Sequence, residues 1–281
     1  DNRMSSREIT KDEIKIRRLA PEEIPRPPFW GSRRLKTIPP EKVLPFLNVK
    51  VLISTRWQLQ GKTSLPVHAH LIPDALLSGF LEEARHKKLL QFQAAYGYFP
   101  ACSQKNKLLV FRHESDDAPL VFSFPLLKSF PETSVADFFL PREAEKKDIV
   151  AFSLVTTGHK LDAFIKEKWT RGDYADYFLW HGLGAELTEA LAEYLHFRIR
   201  QELGLESEDS PDYDACLKKK YRGRRLSPGY PSFPRLEDQK KIMELLRGEL
   251  IGVSLTEAFQ LVPELTTTAI ILHHSDASKY F

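Results

Sequence analysis

Between Gly184 and Leu203 apolar residues return every three or four positions, at Leu187, Ala190, Leu191, Tyr194, Leu195 and Ile199, which predicts an amphipathic helix. Glu186, Glu189, Glu193, His196 and Arg200 fall on the other side, a pattern expected of a solvated face. A second helix is expected from Asp74 as N-cap, with Leu76, Leu77, Phe80, Leu81 and Ala84 at helical spacing. A third covers Leu236 to Arg247, and Ser254-Leu255-Thr256-Glu257 has the spacing of a capping box that would open a short fourth. Glu41 to Leu47 could form one turn, limited by Pro45. The period changes at Leu108–Phe111, Leu120–Phe124, Ile149–Val155 and Thr266–Leu272, which are short, β-branched or aromatic, and separated by polar turns. The first three follow one another without an intervening helix, so they should pair antiparallel, giving an α+β fold with helices beside an antiparallel sheet. Residues 1–27 are charged and carry Pro21, Pro25 and Pro27, and read as a linker or N-terminal arm before a domain at 28–281.

Composition narrows the class. The 281 residues are 42% hydrophobic, enough for a sizeable core, and no apolar run approaches the roughly 20 residues of a membrane span. The N-terminus has no signal pattern and no initiator methionine, as an excised fragment would, and a cytoplasmic origin is expected. Forty-one basic and 38 acidic residues leave a formal charge of +3, which points neither to nucleic acid nor to an anionic membrane. Cys102 and Cys216 are too few for a disulfide framework or a Cys-rich zinc site, and reduced thiols are expected.

The stretch richest in chemistry is Arg225-Leu226-Ser227-Pro228-Gly229-Tyr230-Pro231. Glycine permits positive φ or close approach, the prolines stiffen the turn, and Arg225 offers a fork of donors to a carboxylate. The same residues also fit a plain proline-rich surface turn. Upstream, Lys218 to Arg225 has the composition of a nucleic-acid patch, but no second basic cluster supports it, and it reads as a solvated loop leading into the turn. His68 and His70 could share a strand face, yet no cysteine or His-Glu-x-x-His pattern accompanies them. His273 and His274 are adjacent and should point to opposite faces, so no metal site is expected from either pair.

Six segments together carry a family resemblance. Arg225 to Pro231 resembles the Arg-x-x-x-Gly-Tyr-Pro motif of the activation domain of cobalamin-dependent methionine synthases. Pro28-Phe29-Trp30-Gly31, Ala136 to Pro141, Ala190 to His196, Gly252 to Glu257 and Ser278-Lys279-Tyr280-Phe281 are similar to that family's segments in the family's order. The resemblance implies a single curved domain with a twisted antiparallel sheet and flanking helices. It implies S-adenosylmethionine as ligand, with Arg225, Gly229, Tyr230, Tyr280 and Phe281 as the contacts, the two terminal aromatics packing on the adenine or the sulfonium. Glu189 matches a helix glutamate that faces the cobalamin-binding domain in the family.

What the resemblance implies chemically is reactivation. The ligand's methyl would pass to the cobalt of an inactive cobalamin carried by another domain of the same enzyme, with a flavodoxin-type donor supplying one electron. Such a module belongs to a methyltransferase but is not expected to turn over in isolation. One departure stands out: where many members have an aspartate that bonds the ligand, this chain has Pro25, with Glu22 and Glu23 as substitutes nearby. That departure motivates an alternative, a docking domain that keeps the fold and has lost the ligand.

Overall fold

The computed structural model describes residues 16–59, 71–128, 132–206 and 221–281. Its centre is strand β5 (Asp148–Thr156), buried at every position. Alternate side chains of β5 enter two different cores. Ile149, Ala151 and Val155 join Tyr96, Tyr98 and Ile271 on one face of the sheet. Val150, Phe152 and Leu154 join Phe99, Ile270 and Leu272 on the other. A strand covered on both faces needs apolar residues at both parities, which is why β5 reads as a continuous apolar run.

Around it lie β1 (Gly31–Leu35), β2 (Gln93–Gln104), β3 (Lys107–Val110), β4 (Leu120–Ser123), β6 (Arg224–Leu226) and β9 (Thr266–Leu272). The order is β4-β3-β2-β5-β9-β6, with β1 also on β2, and every pairing is antiparallel. The sheet is curled into a half-barrel, so the α+β expectation holds. Strand β2 has no counterpart in the periodicity reading, because Gly97 and Pro100 interrupt its sequence. Both have a structural reason. A Cβ on Gly97 would overlap the Gly31 carbonyl where β1 crosses. Pro100 falls between the β1 pairing, which ends at Tyr98, and the β3 pairing, which starts at Ala101; its carbonyl accepts from the Phe111 N–H on that side, so no rung toward β5 loses a donor.

One face is covered by α3 (Leu71–His86), α4 (His159–Thr170) and the 29-residue α5 (Tyr174–Glu202), after the short turns α1 (Pro40–Val43) and α2 (Val49–Val51). Leu183, Leu187, Leu191, Leu195 and Ile199 of α5 are all fully buried. At about 2 kcal/mol each their burial contributes on the order of 10 kcal/mol, and Leu191→Ala alone should cost about 2–5 kcal/mol. The other face carries α6 (Asp238–Leu246), with Ile242, Leu245 and Leu246 inward, and the segment around Val135 to Phe139.

Four expectations change. Helix α3 already includes Leu71, so Asp74 lies inside it and does not cap it. Helix α5 begins ten residues before Gly184, because Tyr174, Tyr177, Phe178 and Trp180 place aromatics around the whole helix and hide its period. Ser254 opens no helix: Ser254–Leu255 is β7 and pairs with β8 (Leu261–Val262), and Thr256 closes the hairpin by accepting the Gln260 N–H on its hydroxyl. The polar side of α5 is not a solvated face, since Glu186, His196 and Arg200 are buried. Residues 16–27 lie against the body, with Leu19 buried and the Arg17 N–H donating to the Asp276 carboxylate. Among the described residues no helix is long and apolar enough to cross a membrane.

Candidate functional site

Among the described residues strand β6 is paired only with β9 in the sheet, and its alternation sorts its side chains. Arg225 sits opposite Ile271, on the face covered by α5, while Leu226 sits opposite Ile270 and packs into the other core. The chain then turns. Gly229 holds φ +96°, a conformation that disfavours any side chain. Its N–H donates to the Phe233 carbonyl at 2.8 Å, and the Phe233 N–H donates back to the Tyr230 carbonyl at 2.9 Å. Phe233 is the anchor: fully buried, it packs on Phe122 and Phe124 and leaves Tyr230 65% exposed above it. The Gly229 N–H is therefore used within the turn.

The C-terminal helix α7 (Ala277–Tyr280) closes the other side, pinned by buried Ala277 and by the Arg224 guanidinium on the Ser278 carbonyl. Tyr280 and Phe281 both meet Phe138 edge-on, with centroids 5.4 and 5.3 Å away. The resulting groove, about 370 Å³, is lined by Glu189, Arg225, Tyr230, Tyr280 and Phe281, together with Leu127 and Ser227. Four of the five nominated ligand residues, and Glu189, thus meet in one concavity from three distant parts of the chain. Gly229 shapes the turn without lining the groove.

The charged centre of the groove is Arg225, whose side chain is 8% exposed. It donates to Glu193 at 2.8 Å and also to Glu189. Burial works against the guanidinium's charge, but Glu189 and Glu193 outweigh it and hold its pKa above the ordinary arginine value. Burial likewise penalises the Glu193 carboxylate, yet His196 and Arg225 prevail and keep it well below the usual range. His196 is fully buried, which lowers its pKa to about 4, and neither ring nitrogen has a hydrogen-bond partner among the described residues. Its ring meets Tyr221 edge-on at 4.9 Å, and the Arg200 guanidinium lies 4.1 Å from the centre of the same Tyr221 ring. The Nε of Arg225 is also buried, without an acceptor among the described residues.

The Glu193 contact was readable but missed. Glu189 and Glu193 are like charges four apart on a helix, with no lysine or arginine three or four residues from either. Such a pair is unfavourable unless a cation arrives from elsewhere in the fold. The basic run is also unlike a solvated loop at its end, since Arg222 donates to the His273 carbonyl and Arg224 and Arg225 point inward as described. Lys218–Lys220, Cys216, His68 and His70 lie outside the described residues. Pro25 lines a different groove, with Trp30, Lys146 and Asp148. Glu23 is engaged by Arg17 and by the Ala20 N–H. His273 and His274 are both buried, bonded to Asp148 and to the Arg17 carbonyl at 2.7 and 2.8 Å. Among the described residues no three His, Cys, Asp or Glu side chains are grouped to hold a metal.

Comparison with known proteins shows the family. The chain is 38% identical over 277 residues to a methionine synthase of Mycobacterium leprae and 39% identical to that of Mycobacterium tuberculosis. Each alignment covers 92% of this chain and 23% of the relative, so the chain spans about a quarter of their length. In fold it is similar to the crystal structure of the MetH reactivation domain bound to AdoHcy, with a TM-score of 0.80, 24% identity, and coverage of 92% of this chain and 82% of that one. Residues 53–281 match the family model described as vitamin B12 dependent methionine synthase, activation domain. The chain belongs to the activation-domain family of vitamin B12-dependent methionine synthases.

Proposed function

We propose that this chain binds S-adenosylmethionine in the groove between the Arg225–Pro231 turn and Tyr280–Phe281, and presents its methyl group to the cobalt of an inactive cobalamin held by another domain. The observation that carries the reading is the convergence of Arg225, Tyr230, Tyr280 and Phe281 on one groove. Its size falls in the range of small-molecule pockets, roughly 300–1,000 Å³. The buried Arg225 Nε, without an acceptor among the described residues, fits an incoming carboxylate. The Tyr280 and Phe281 rings lining the groove fit a purine or a sulfonium.

Such a reaction asks little acid–base work of the chain. A sulfonium methyl is already activated, and a reduced cobalt supplies the nucleophile when the cobalamin domain is docked. Position is the chain's contribution: converting an encounter of two molecules into one held geometry is worth up to roughly 7–11 kcal/mol. Arg225 fixes the amino-acid end, the aromatic wall holds the other, and the open side of the groove faces the acceptor. A flavodoxin-type donor provides the electron in this scheme, and Glu189, 45% exposed at the rim, is the residue for the cobalamin domain to meet.

Titration calorimetry with S-adenosylmethionine tests the reading. Heat of binding is expected for the wild type and none for Arg225→Ala. The docking reading, favoured by the occupied Arg225 and by Pro25 lying in another groove, expects no heat and no thermal shift at millimolar ligand. That result would overturn the proposal.

A further inference from the structure

The two carboxylates on Arg225 are not equivalent. Glu193 has a side chain 16% exposed, with the His196 ring 3.9 Å away, while Glu189, one turn earlier, is 45% exposed at the groove. Arg225 already carries more negative charge than it can neutralise, so a third carboxylate could reach it only against like-charge repulsion. A ligand carboxylate must therefore displace one of the two. Displacing Glu193 would strand a buried carboxylate, which is costly, whereas Glu189 can return to water. We infer that Glu193 is a positioning residue that fixes Arg225, and that Glu189 is an exchangeable stand-in whose place a ligand carboxylate takes.

The exchange rests on the reading that the groove binds an S-adenosyl amino acid. It makes the two glutamates, four residues apart on one helix, act in opposite directions. Loss of charge at Glu189 removes a competitor and leaves the guanidinium better prepared for the ligand. Loss of charge at Glu193 frees the guanidinium to leave its position. Both effects should pass through the ligand's carboxylate, since the two glutamates act on the Arg225 guanidinium.

The experiment is calorimetric titration of wild type, Glu189→Gln and Glu193→Gln with two probes. S-adenosylhomocysteine carries the carboxylate and an uncharged sulfur, and 5′-methylthioadenosine lacks the amino-acid portion. Glu189→Gln should bind S-adenosylhomocysteine about threefold or more tighter, and Glu193→Gln about tenfold or more weaker, with methylthioadenosine affinity unchanged in both. Weaker S-adenosylhomocysteine binding by Glu189→Gln would overturn the exchange, because it would make Glu189 a ligand contact. Equal losses for both probes in Glu193→Gln would reduce Glu193 to a structural role. If Glu193→Gln does not fold, the half-exposed Glu189→Gln decides the matter by itself. A wild type that binds neither probe overturns the ligand reading, and the exchange with it.

Discussion

Helix α5 carries two polar clusters that reach different strands of the sheet, β2 and the edge strand β6, and they are finished to different degrees. At its C-terminal end the two oxygens of Glu202 accept the Tyr96 and Tyr98 hydroxyls at 2.8 and 2.9 Å, and the Arg198 Nε adds a third bond at 3.0 Å. Phe29 packs edge-on against both tyrosine rings. Each carboxylate oxygen has a donor and each phenol an acceptor. At Glu189 and Glu193 the components are similar, a cation and an aromatic around carboxylates, but Arg225 Nε and both nitrogens of His196 have no hydrogen-bond partner among the described residues. Buried polar groups are nearly always paired, so the completed cluster looks like a structural fastener and the uncompleted one like a place kept for a ligand. Position relative to solvent agrees, since Tyr96 and Tyr98 are fully buried while Glu189 and Tyr280 line a groove.

The largest test falls on the fastener. Tyr98→Ala removes a fully buried ring and leaves one Glu202 oxygen without its phenol, so unfolding in urea should show a loss of about 3–5 kcal/mol. Affinity for S-adenosylmethionine, measured on the fraction that remains folded, should not move. A parallel loss of affinity would mean that the two clusters are coupled and that the contrast between them is false.

Next is the acid response of the unfinished cluster. The imidazole of His196 is held neutral, with its pKa brought from an ordinary 6.5 to about 4 by burial first, with Arg200 and Arg225 adding to the effect and Glu193 opposing it. The unfolded chain takes up a proton below pH 6.5 that the fold resists, so this contribution is complete above 6.5 and is lost as pH falls toward 4. The loss amounts to about 3 kcal/mol. Glu193, held below the usual carboxylate range, adds stability that is present above its unfolded value near pH 4.3 and is lost as pH falls through its folded value. Tyr221 stays neutral across the range because burial pushes its pKa up to about 12. His196→Leu should abolish the decline between pH 6.5 and 4 and keep the lower limb. Urea midpoints at half-unit pH steps decide it, and an unchanged upper limb would put the titrating group elsewhere.

The same contrast explains what could be read from sequence. Thr266–Leu272 was legible to the residue, because a buried run of β-branched and apolar residues between polar turns has few alternatives. The α5 stripe was legible from Leu187 to Ile199 for the same reason. What escaped depends on partners remote in sequence. Gly97 and Pro100 look like strand breakers until β1 crosses one and the gap before β3 accommodates the other. Ser254 to Glu257 carries the letters of a capping box, but Val262 and Leu261 offer a ladder that the segment takes instead. At the site, family resemblance nominated Arg225, Tyr230, Tyr280 and Phe281 and the fold brings them together. It did not indicate that Arg225 arrives with two carboxylates attached, a fact carried only by the unpaired glutamates on α5.

The smallest effect is the most discriminating, because Glu202→Gln changes the charge of the fastener and almost none of its shape. The carboxylate accepts from two phenols and from Arg198. An amide keeps one accepting oxygen, so charge-assisted bonds become neutral ones, at a cost of about 1–2 kcal/mol in total. The phenols report the change directly. Burial is the first cause that raises both tyrosine pKa values, Tyr96 to about 12, and the nearby Glu202 charge raises them further. Their contribution to stability is complete below about pH 10 and is lost as pH rises from there through the folded values. In Glu202→Gln the ultraviolet titration of these tyrosines should move down but remain above 10, since burial persists when the charge is gone. Ligand binding should be untouched. A titration that returned to 10 would mean the rings had become hydrated, and the cluster would then be no more finished than the one around Arg225.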